Sequence, residues 1–238
     1  MTHLLVIGGT DSSGGAGLSR DIATAQTFGV PVCPVVTAVT AQTDGALLHA
    51  LPMPADLVRA QIETALDSHQ IIAIKIGMLG TQDIAQTVVQ TLAPSNLPIV
   101  LDPVLRSTSG GALLDPEGAQ VLRQDLLQLT RVVTPNLDEL AQLSGVACQS
   151  VTAQVQALQN LGCPAVLVKG GHDTGPECID HLYDKEEQFQ FPSPRLAISK
   201  RGTGCTLATA IACELARGQT LSEACQSAKA HQQKWLMA

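Results

Sequence analysis

The chain has 238 residues, of which 45% are hydrophobic and 15% are charged, so it can bury a sizeable core and we expect one domain spanning residues 1–238. The formal net charge is −7 and the sequence pI is about 5.2. A chain this acidic lacks the basic face that binding to nucleic acid or to a membrane surface would require. We therefore expect neither of these partners.

The cysteines and the amino terminus indicate the compartment. The seven cysteines are widely spaced, no C-x-x-C pair is present, and the histidines do not cluster along the sequence. We therefore expect neither a disulfide framework nor structural zinc. The apolar run at residues 4–7 is too short for a signal peptide, and no run approaches membrane-spanning length. These features predict a cytoplasmic protein.

Short apolar runs alternate along the chain with longer segments of helical period. Residues 4–7 predict a buried strand, residues 8–17 a glycine-rich loop and residues 18–28 a helix. This alternation is typical of βαβ units and predicts an α/β fold, with a mostly parallel sheet covered by helices on both faces. The further predicted strands are residues 31–40, 73–76, 99–101, 132–134 and 165–169. The further predicted helices are residues 54–68, 81–92, 116–127, 137–144 and 150–161.

The pattern changes after Gly171. Residues 178–183 and 188–191 flank the polar turn Asp184-Lys185-Glu186, which predicts an antiparallel hairpin at the edge of the sheet. Two helices, residues 206–217 and 220–236, close the chain. Ligands of such sheets bind outside the carboxyl ends of the strands, and the polar clusters fall at those ends.

The loop at residues 8–17 does not match two common phosphate-binding motifs. A P-loop requires Gly-Lys-Ser/Thr, but no lysine follows Gly14, and a dinucleotide fingerprint requires a third glycine where Arg20 stands. What remains is a flexible turn that carries Asp11. Asp21 follows in the next helix, where a solvated aspartate is the more common outcome.

Two polar residues follow predicted strands. Gln42 could offer a paired donor and acceptor to a heterocycle, or it could satisfy backbone groups of its loop. Asp102 ends a strand that Pro103 prevents from continuing, so its carboxylate is predicted to lie at the binding edge of the sheet.

Three more positions carry alternatives. Asn136 and Glu139 have the spacing of a helix capping box, although Glu139 could also hold a hydrated magnesium ion near nucleotide phosphates. Lys169 ends a buried strand and needs an anionic partner, either a phosphate or a structural carboxylate. His172 is expected to be a polar loop residue.

A glycine turn at residues 201–206, Arg-Gly-Thr-Gly-Cys-Thr, leads into the helix at residues 206–217. The unpaired N–H groups and the dipole of a helix N-terminus predict an anion site there, with a tight structural loop as the alternative. A thiol at such a terminus has its thiolate stabilised, so Cys205 is expected to be chemically available.

In this order and at these intervals, the motifs resemble those of the hydroxymethylpyrimidine/phosphomethylpyrimidine kinases of thiamine biosynthesis, a branch of the ribokinase-like superfamily. The resemblance covers about residues 4–229 and implies a three-layer sandwich. It rests on residues 9–17 with Asp21, Thr40-Ala41-Gln42, Lys75-Ile76-Gly77-Met78-Leu79, Asp102-Pro103-Val104, Thr134-Pro135-Asn136 with Glu139, residues 168–172 and residues 202–206.

The resemblance also implies a substrate pocket. Gln42 and Asp21 would bind the aminopyrimidine and its hydroxymethyl group, and Gly9 and Val104 would line the pocket. The implied reaction is transfer of the γ-phosphate of ATP to hydroxymethylpyrimidine and then to its monophosphate.

For the nucleotide side, the resemblance implies that Asp102, Asn136 and Glu139 organise Mg²⁺ and the phosphates of ATP. Lys169 would reach the transferring phosphate. Cys205, as a thiolate, could accept the proton of the substrate hydroxyl, or it could only shape the anion hole. Sugar kinases of the superfamily carry an aspartate base at this position. The implied anion hole consists of Gly202, Thr203, Gly204 and Cys205, with Thr203 also contacting the nucleotide.

Three positions depart from the family pattern. Ser12 stands where proline is usual, Thr43 where asparagine is common, and Arg201 where a histidine usually precedes the glycine turn. These changes leave a pyridoxal or pyridoxine kinase as an alternative, and a non-catalytic binding protein of the same fold as another. The family commonly forms homodimers through the sheet edge, so we expect a homodimer.

Overall fold

The computed structural model describes residues 1–107, 110–146, 149–172, 175–185, 187–198 and 200–238. Cys148, Glu186 of the predicted turn and the side chain of His172 lie outside the described residues.

One nine-stranded sheet forms the centre of the molecule. Its strands in chain order are β1 (Thr2–Gly9), β2 (Val32–Gln42), β3 (Leu47–Pro52), β4 (Gln70–Ile76), β5 (Ile99–Leu101), β6 (Val132–Val133), β7 (Ala165–Val168), β8 (Glu177–Asp184) and β9 (Glu187–Pro194).

The strands lie in the order β3-β2-β1-β4-β5-β6-β7-β8-β9. Strands β2, β1, β4, β5, β6 and β7 run parallel to their neighbours in this series. β3 pairs antiparallel with β2, and β8 pairs antiparallel with both β7 and β9. The predicted mostly parallel sheet and its antiparallel edge hairpin are therefore confirmed.

Helices cover both faces of the sheet. They are α1 (Gly17–Thr27), α2 (Ala55–Ser68), α3 (Gln82–Leu92), α4 (Pro116–Val121), α5 (Leu137–Ser144), α6 (Val151–Asn160), α7 (Thr203–Ala216) and α8 (Leu221–Met237). α4 continues as a π-helical segment, Leu122–Leu126, and then as a 3₁₀-helical turn, Leu127–Leu129.

Alternate residues of the strands enter two separate cores. Leu4 and Val6 of β1 pack with α1, α7 and α8, whereas Leu5 and Ile7 pack with α2 to α6 on the other face. The predicted three-layer sandwich is thus confirmed. Within the described ranges, none of the helices combines the length and apolar character needed to cross a membrane.

Several elements differ from their predicted bounds, and the differences at β3 and α7 have a clear physical cause. The sequence pattern did not indicate β3, because this edge strand leaves most of its side chains exposed and shows no buried alternation. α7 begins at Thr203, three residues before the predicted start at residue 206, because Gly202 takes the N-cap position with φ of 78° and lets the helix begin at once.

Candidate active site

A cavity of about 960 Å³ opens at the carboxyl ends of the parallel strands. The loops after β1, β4, β5, β6 and β7 line it together with the first turn of α7. The structure therefore brings the predicted site residues together, while their individual roles stay predictions. Those bordering the cavity are Gly9, Asp21, Gln42, Asp102, Val104, Asn136, Glu139, Lys169, Gly202, Thr203, Gly204 and Cys205.

The glycine turn lies directly against charged side chains. A Cβ atom on Gly204 would be 3.1 Å from Oδ2 of Asp102 and 3.4 Å from Nζ of Lys169. A Cβ atom on Gly202 would collide with the carbonyl oxygen of Gly15 in the first loop. Glycine is therefore required at residue 202 by contact as well as by its positive φ, and the backbone N–H groups of the first turn of α7 border the cavity.

Lys169 lies between two carboxylates beside this turn. Its Nζ is 3.0 Å from Oδ1 of Asp102 and 3.4 Å from Oε2 of Glu139. Burial alone would lower the pKa of Lys169, but Asp102 and Glu139 raise it above its usual value, so the amine stays protonated. Of the two partners predicted for Lys169, the structure contains the structural carboxylate.

The capping box predicted for Asn136 and Glu139 is confirmed, while a role of Glu139 in holding magnesium stays a prediction. The backbone N–H of Asn136 donates to Oε2 of Glu139, and the backbone N–H of Glu139 donates to Oδ1 of Asn136, each at 2.8 Å, which is the predicted capping box. The same Oε2 faces Lys169. Burial raises the pKa of Glu139 above its usual value, and Lys169 offsets only part of the rise. The cap thus holds a carboxylate at the rim of the cavity.

Asp21 is fully buried, so the expectation of a solvated helix aspartate is wrong. Nζ of Lys75 donates to its Oδ2 at 2.8 Å, and Oγ1 of Thr209 donates to its Oδ1 at 2.7 Å. Burial alone would lower the pKa of Lys75, but Asp21, Cys205 and Asp102 raise it above its usual value. A lysine in the middle of the apolar run at residues 73–76 was the one signal in the sequence that this pair existed.

Arg201 connects the loops around the substrate end of the cavity. Its Nη2 donates to Oε1 of Gln42 at 2.9 Å and lies 3.2 Å from Oδ2 of Asp11. Its Nη1 donates to Oγ of Ser13 at 2.5 Å and to the carbonyl oxygen of Thr43 at 3.0 Å. The sequence marked Arg201 only as a departure from a pattern, because its partners come from two distant loops.

The sequence-based expectation for Cys205 is wrong in its direction. Burial raises the pKa of this thiol to about 12, Lys75 opposes the shift, and Asp21 and Asp102 add to it. The loss of solvent therefore outweighs the dipole of the helix terminus on which the expectation depended. The Cys205 side chain keeps its proton at neutral pH.

A fourth ionic cluster borders the cavity on the side of the edge hairpin. Nζ of Lys229 lies 2.9 Å from Oδ2 of Asp180 and donates to Sγ of Cys178 at 3.3 Å. Oδ1 of Asp180 accepts from the backbone N–H of Gly170 at 2.9 Å. The sequence analysis missed this cluster, since its members lie on β8, on α8 and in the turn after β7.

Comparison with known proteins identifies the family. The family model described as phosphomethylpyrimidine kinase matches residues 11–237. A hydroxymethylpyrimidine/phosphomethylpyrimidine kinase of Streptomyces coelicolor is 40% identical over 230 residues, covering 95% of this chain and 85% of that protein.

Solved structures agree with this assignment. The crystal structure of phosphomethylpyrimidine kinase from Clostridium difficile superposes with a TM-score of 0.84 at 32% identity and covers 98% of both chains. The pyridoxal kinase from Staphylococcus aureus in complex with AMP-PCP superposes with a TM-score of 0.88 at 31% identity, covering 99% of this chain and 88% of that one. The predicted ribokinase-like fold is confirmed. The chain therefore belongs to the phosphomethylpyrimidine kinase family and is a phosphotransferase.

Proposed function

We propose that this protein uses ATP to phosphorylate hydroxymethylpyrimidine and then hydroxymethylpyrimidine monophosphate. The observation that carries the proposal is the contact between the glycine turn and the Lys169–Asp102 ion pair inside the cavity. It combines backbone N–H donors at a helix terminus with a fixed positive charge, which is what a transferring phosphoryl group requires.

Phosphoryl transfer depends mainly on positioning the partners and on neutralising charge at the equatorial oxygens. Lys169 would contact the transferring phosphate, and the N–H groups of residues 202–205 would form the anion hole. Thr203 and Asn136 would contact the nucleotide. Because the thiol of Cys205 keeps its proton, its part in this proposal is to shape the hole rather than to act as a resident base.

The residues around Lys169 fit a magnesium ion. One lysine faces the two carboxylates of Asp102 and Glu139, so negative charge remains where the phosphates of ATP would bind, and a cation would balance it. Oxygen ligands of this kind are those that Mg²⁺ prefers. When bound, the ion would neutralise charge on the phosphates, and Asp102 and Glu139 would hold it.

The substrate would occupy the opposite half of the cavity. Gln42, with its oxygen already accepting from Arg201, would present its NH₂ group to an acceptor such as a ring nitrogen. Gly9 and Val104 would line the pocket. Asp21, held by Lys75 below the first loop, would lie near the hydroxymethyl group.

Pyridoxal is the second candidate substrate. The pyridoxal kinase from Staphylococcus aureus has nearly the same fold, and one of its structures is a complex with pyridoxal. Arg201 and Thr43, two departures from the pyrimidine-kinase pattern, lie next to Gln42. Either substrate would use the same phosphate-binding half of the cavity.

Steady-state release of ADP with each of the three substrates tests the proposal. We expect turnover with both pyrimidines, and Lys169→Ala to lower kcat by about 10²–10³ because a preorganised positive charge is lost. Lys234→Ala, at an exposed position of α8, is the matched control and should leave kcat unchanged. Absence of turnover with both pyrimidines would contradict the substrate assignment, and turnover with pyridoxal alone would establish the second candidate.

We further propose that the protein is a homodimer of single-domain chains. One sheet spans the described part of the chain, which supports a single domain, and its edge strand β3 forms an exposed apolar pair with β2. Leu51 is 62% exposed and faces Val39 of β2, which is 46% exposed. A second copy packing on this edge would bury both side chains. Its use of ATP and the free thiols of Cys178 and Cys205 support a cytoplasmic location.

A further inference from the structure

Three metal-binding side chains meet at the end of the sheet opposite the cavity, where the strands begin. His3 lies in β1, Cys33 in β2 and His69 directly before β4. β1 lies between β2 and β4 in the sheet, so the three residues lie on, or directly before, three neighbouring strands. Their ligand atoms all lie within 4.8 Å of one another.

The sheet register explains this meeting. Cys33 pairs with Leu5, which is two residues after His3, so Cys33 and His3 project from the same face of the sheet. His69 is the C-cap of α2, the helix that covers this face. The ring centroids of His3 and His69 are 4.5 Å apart.

The burial of the cluster favours a ligand. Nδ1 of His3 is buried and has no hydrogen-bond partner within the described part of the chain, which costs free energy unless something else binds it. Cys33 is buried, whereas His69 is exposed. The cluster therefore has a closed interior side and an open side through which an ion could enter and a water molecule could complete the coordination.

We propose that His3, Cys33 and His69 bind a zinc-like divalent cation at a site separate from the kinase cavity. Two imidazoles and one thiolate are ligands that zinc prefers, whereas magnesium prefers oxygen. Zinc–ligand distances of about 2.0–2.3 Å put tetrahedral ligand atoms roughly 3.3–3.8 Å apart, so the cluster closes around the ion. The exposed ring of His69 can make this movement, and the Cys33 thiol gives its proton to solvent as it binds.

The spacing of these residues along the sequence does not indicate the site. His3 and Cys33 are 30 residues apart, and Cys33 and His69 are 36 residues apart, as their numbers show. Only the pairing of β2, β1 and β4 brings them together.

Titration of the full-length, metal-free protein with Co²⁺, without nucleotide, tests the site. We expect about one tightly bound equivalent, a near-ultraviolet thiolate-to-cobalt charge-transfer band, and displacement of cobalt by zinc. Cys33→Ser should remove the band. His69→Ala, at an exposed position that should not disturb folding, should weaken Co²⁺ binding about tenfold or more.

Two matched variants distinguish this site from other thiols and histidines. Cys205→Ser removes the thiol in the cavity and should keep the band, and His49→Ala removes an exposed histidine of β3 and should keep the affinity. Saturating zinc should also raise the Tm of the unmodified protein and not that of His69→Ala, since binding only the folded state stabilises it.

Several results would overturn the proposal. They are a band that is absent in the unmodified protein, a band that persists in Cys33→Ser, and a band that disappears in Cys205→Ser. If Cys33→Ser does not fold, an unchanged affinity in His69→Ala is sufficient to reject the site.

Discussion

Arg201 acts on Gln42 through a hydrogen bond that fixes which atoms of the amide remain available. Its guanidinium takes the Oε1 atom, so the NH₂ group is the part of Gln42 left to face a ligand. A ligand with a ring nitrogen acceptor is favoured at this position over one that presents a donor. We therefore expect Arg201 to be a positioning residue for substrate selection.

Replacing Arg201 by alanine should separate binding from chemistry. Loss of a charged hydrogen bond of about 1.5–3 kcal/mol releases the Gln42 amide, so KM for hydroxymethylpyrimidine should rise roughly tenfold or more, with a smaller change in kcat. The discrimination between hydroxymethylpyrimidine and pyridoxal should change as well. Steady-state kinetics with both substrates measure these effects.

Arg59→Ala is the control for this experiment. Arg59 of α2 donates to Oε1 of Gln90 of α3 at 2.9 Å, away from the cavity. The variant therefore removes a similar hydrogen bond without changing the substrate half of the cavity. Unchanged KM values in Arg201→Ala would contradict the positioning role. A fall in kcat alone would assign Arg201 to the chemical step.

Cys205 should be a poor nucleophile in the folded protein. With its pKa raised to about 12, its thiolate fraction at pH 8 is about 10⁻⁴, against roughly a quarter for a free thiol with a pKa near 8.5. Alkylation of Cys205 by iodoacetamide, followed by mass spectrometry, should be slow at pH 8 and should accelerate about tenfold for each pH unit. The same residue in urea is the control, and equal rates in both conditions would show that burial does not protect the thiol.

Among the elements, the Lys75–Asp21 pair joins β4 to α1, and Thr209 adds α7 to the same cluster. These elements carry the first loop and the glycine turn, so one buried cluster fixes both sides of the cavity relative to the sheet. Because the pair is almost fully buried, neither residue can be solvated when its partner is removed.

Lys75→Met should therefore lower the free energy of unfolding by about 3–5 kcal/mol, since it leaves the buried carboxylate of Asp21 without its positively charged partner. The double variant Lys75→Met, Asp21→Asn removes both charges and should recover much of this loss. Urea denaturation measures each value.

Arg131→Met provides the comparison for a half-buried ion pair. Arg131 donates to both carboxylate oxygens of Asp184, at 3.2 and 2.8 Å, but its side chain is 34% exposed, so solvent screens the charges and the loss should be smaller, at about 1 kcal/mol. Equal losses in Lys75→Met and Arg131→Met would show that burial does not set the cost.

The elements that the sequence predicted are those that bury an apolar face. β5 and α5 have their predicted limits, because all of β5 is buried and Gly145 ends α5 in the left-handed conformation. β3 has no such face, so nothing in residues 47–52 indicated it.

At the scale of the whole molecule, the exposed pair of Val39 and Leu51 should control assembly. Leu51→Lys places a charge in the proposed interface and should convert the dimer to a monomer, as measured by light scattering after size-exclusion chromatography. Met237→Lys, at a site 60% exposed near the end of α8, is the control and should leave the mass unchanged. A monomeric unmodified protein would contradict the homodimer.

The sequence was sufficient to predict that the site residues lie together at one edge of the sheet, but it was not sufficient to predict their contacts with one another. Asp102 follows β5 and Lys169 follows β7, which run parallel in the sheet, so the topology alone brings both residues to the same edge. The burial of Asp21 and the pKa of Cys205 depend on Lys75 and on how much solvent the packed loops exclude. Neither quantity can be read from spacing, because each requires the positions of residues distant in the chain.

The tight contact of Gly202 with the carbonyl oxygen of Gly15 leaves no gap between the first loop and the turn of α7. Arg201 adds a bond from the same turn to Ser13 of that loop. The two loops therefore cannot shift independently, although one faces the substrate half and the other the nucleotide half of the cavity. We therefore expect positive cooperativity between binding of the substrate and binding of the nucleotide. Binding of the first ligand would include the entropy cost of ordering both loops, and the second ligand would bind to loops that are already ordered.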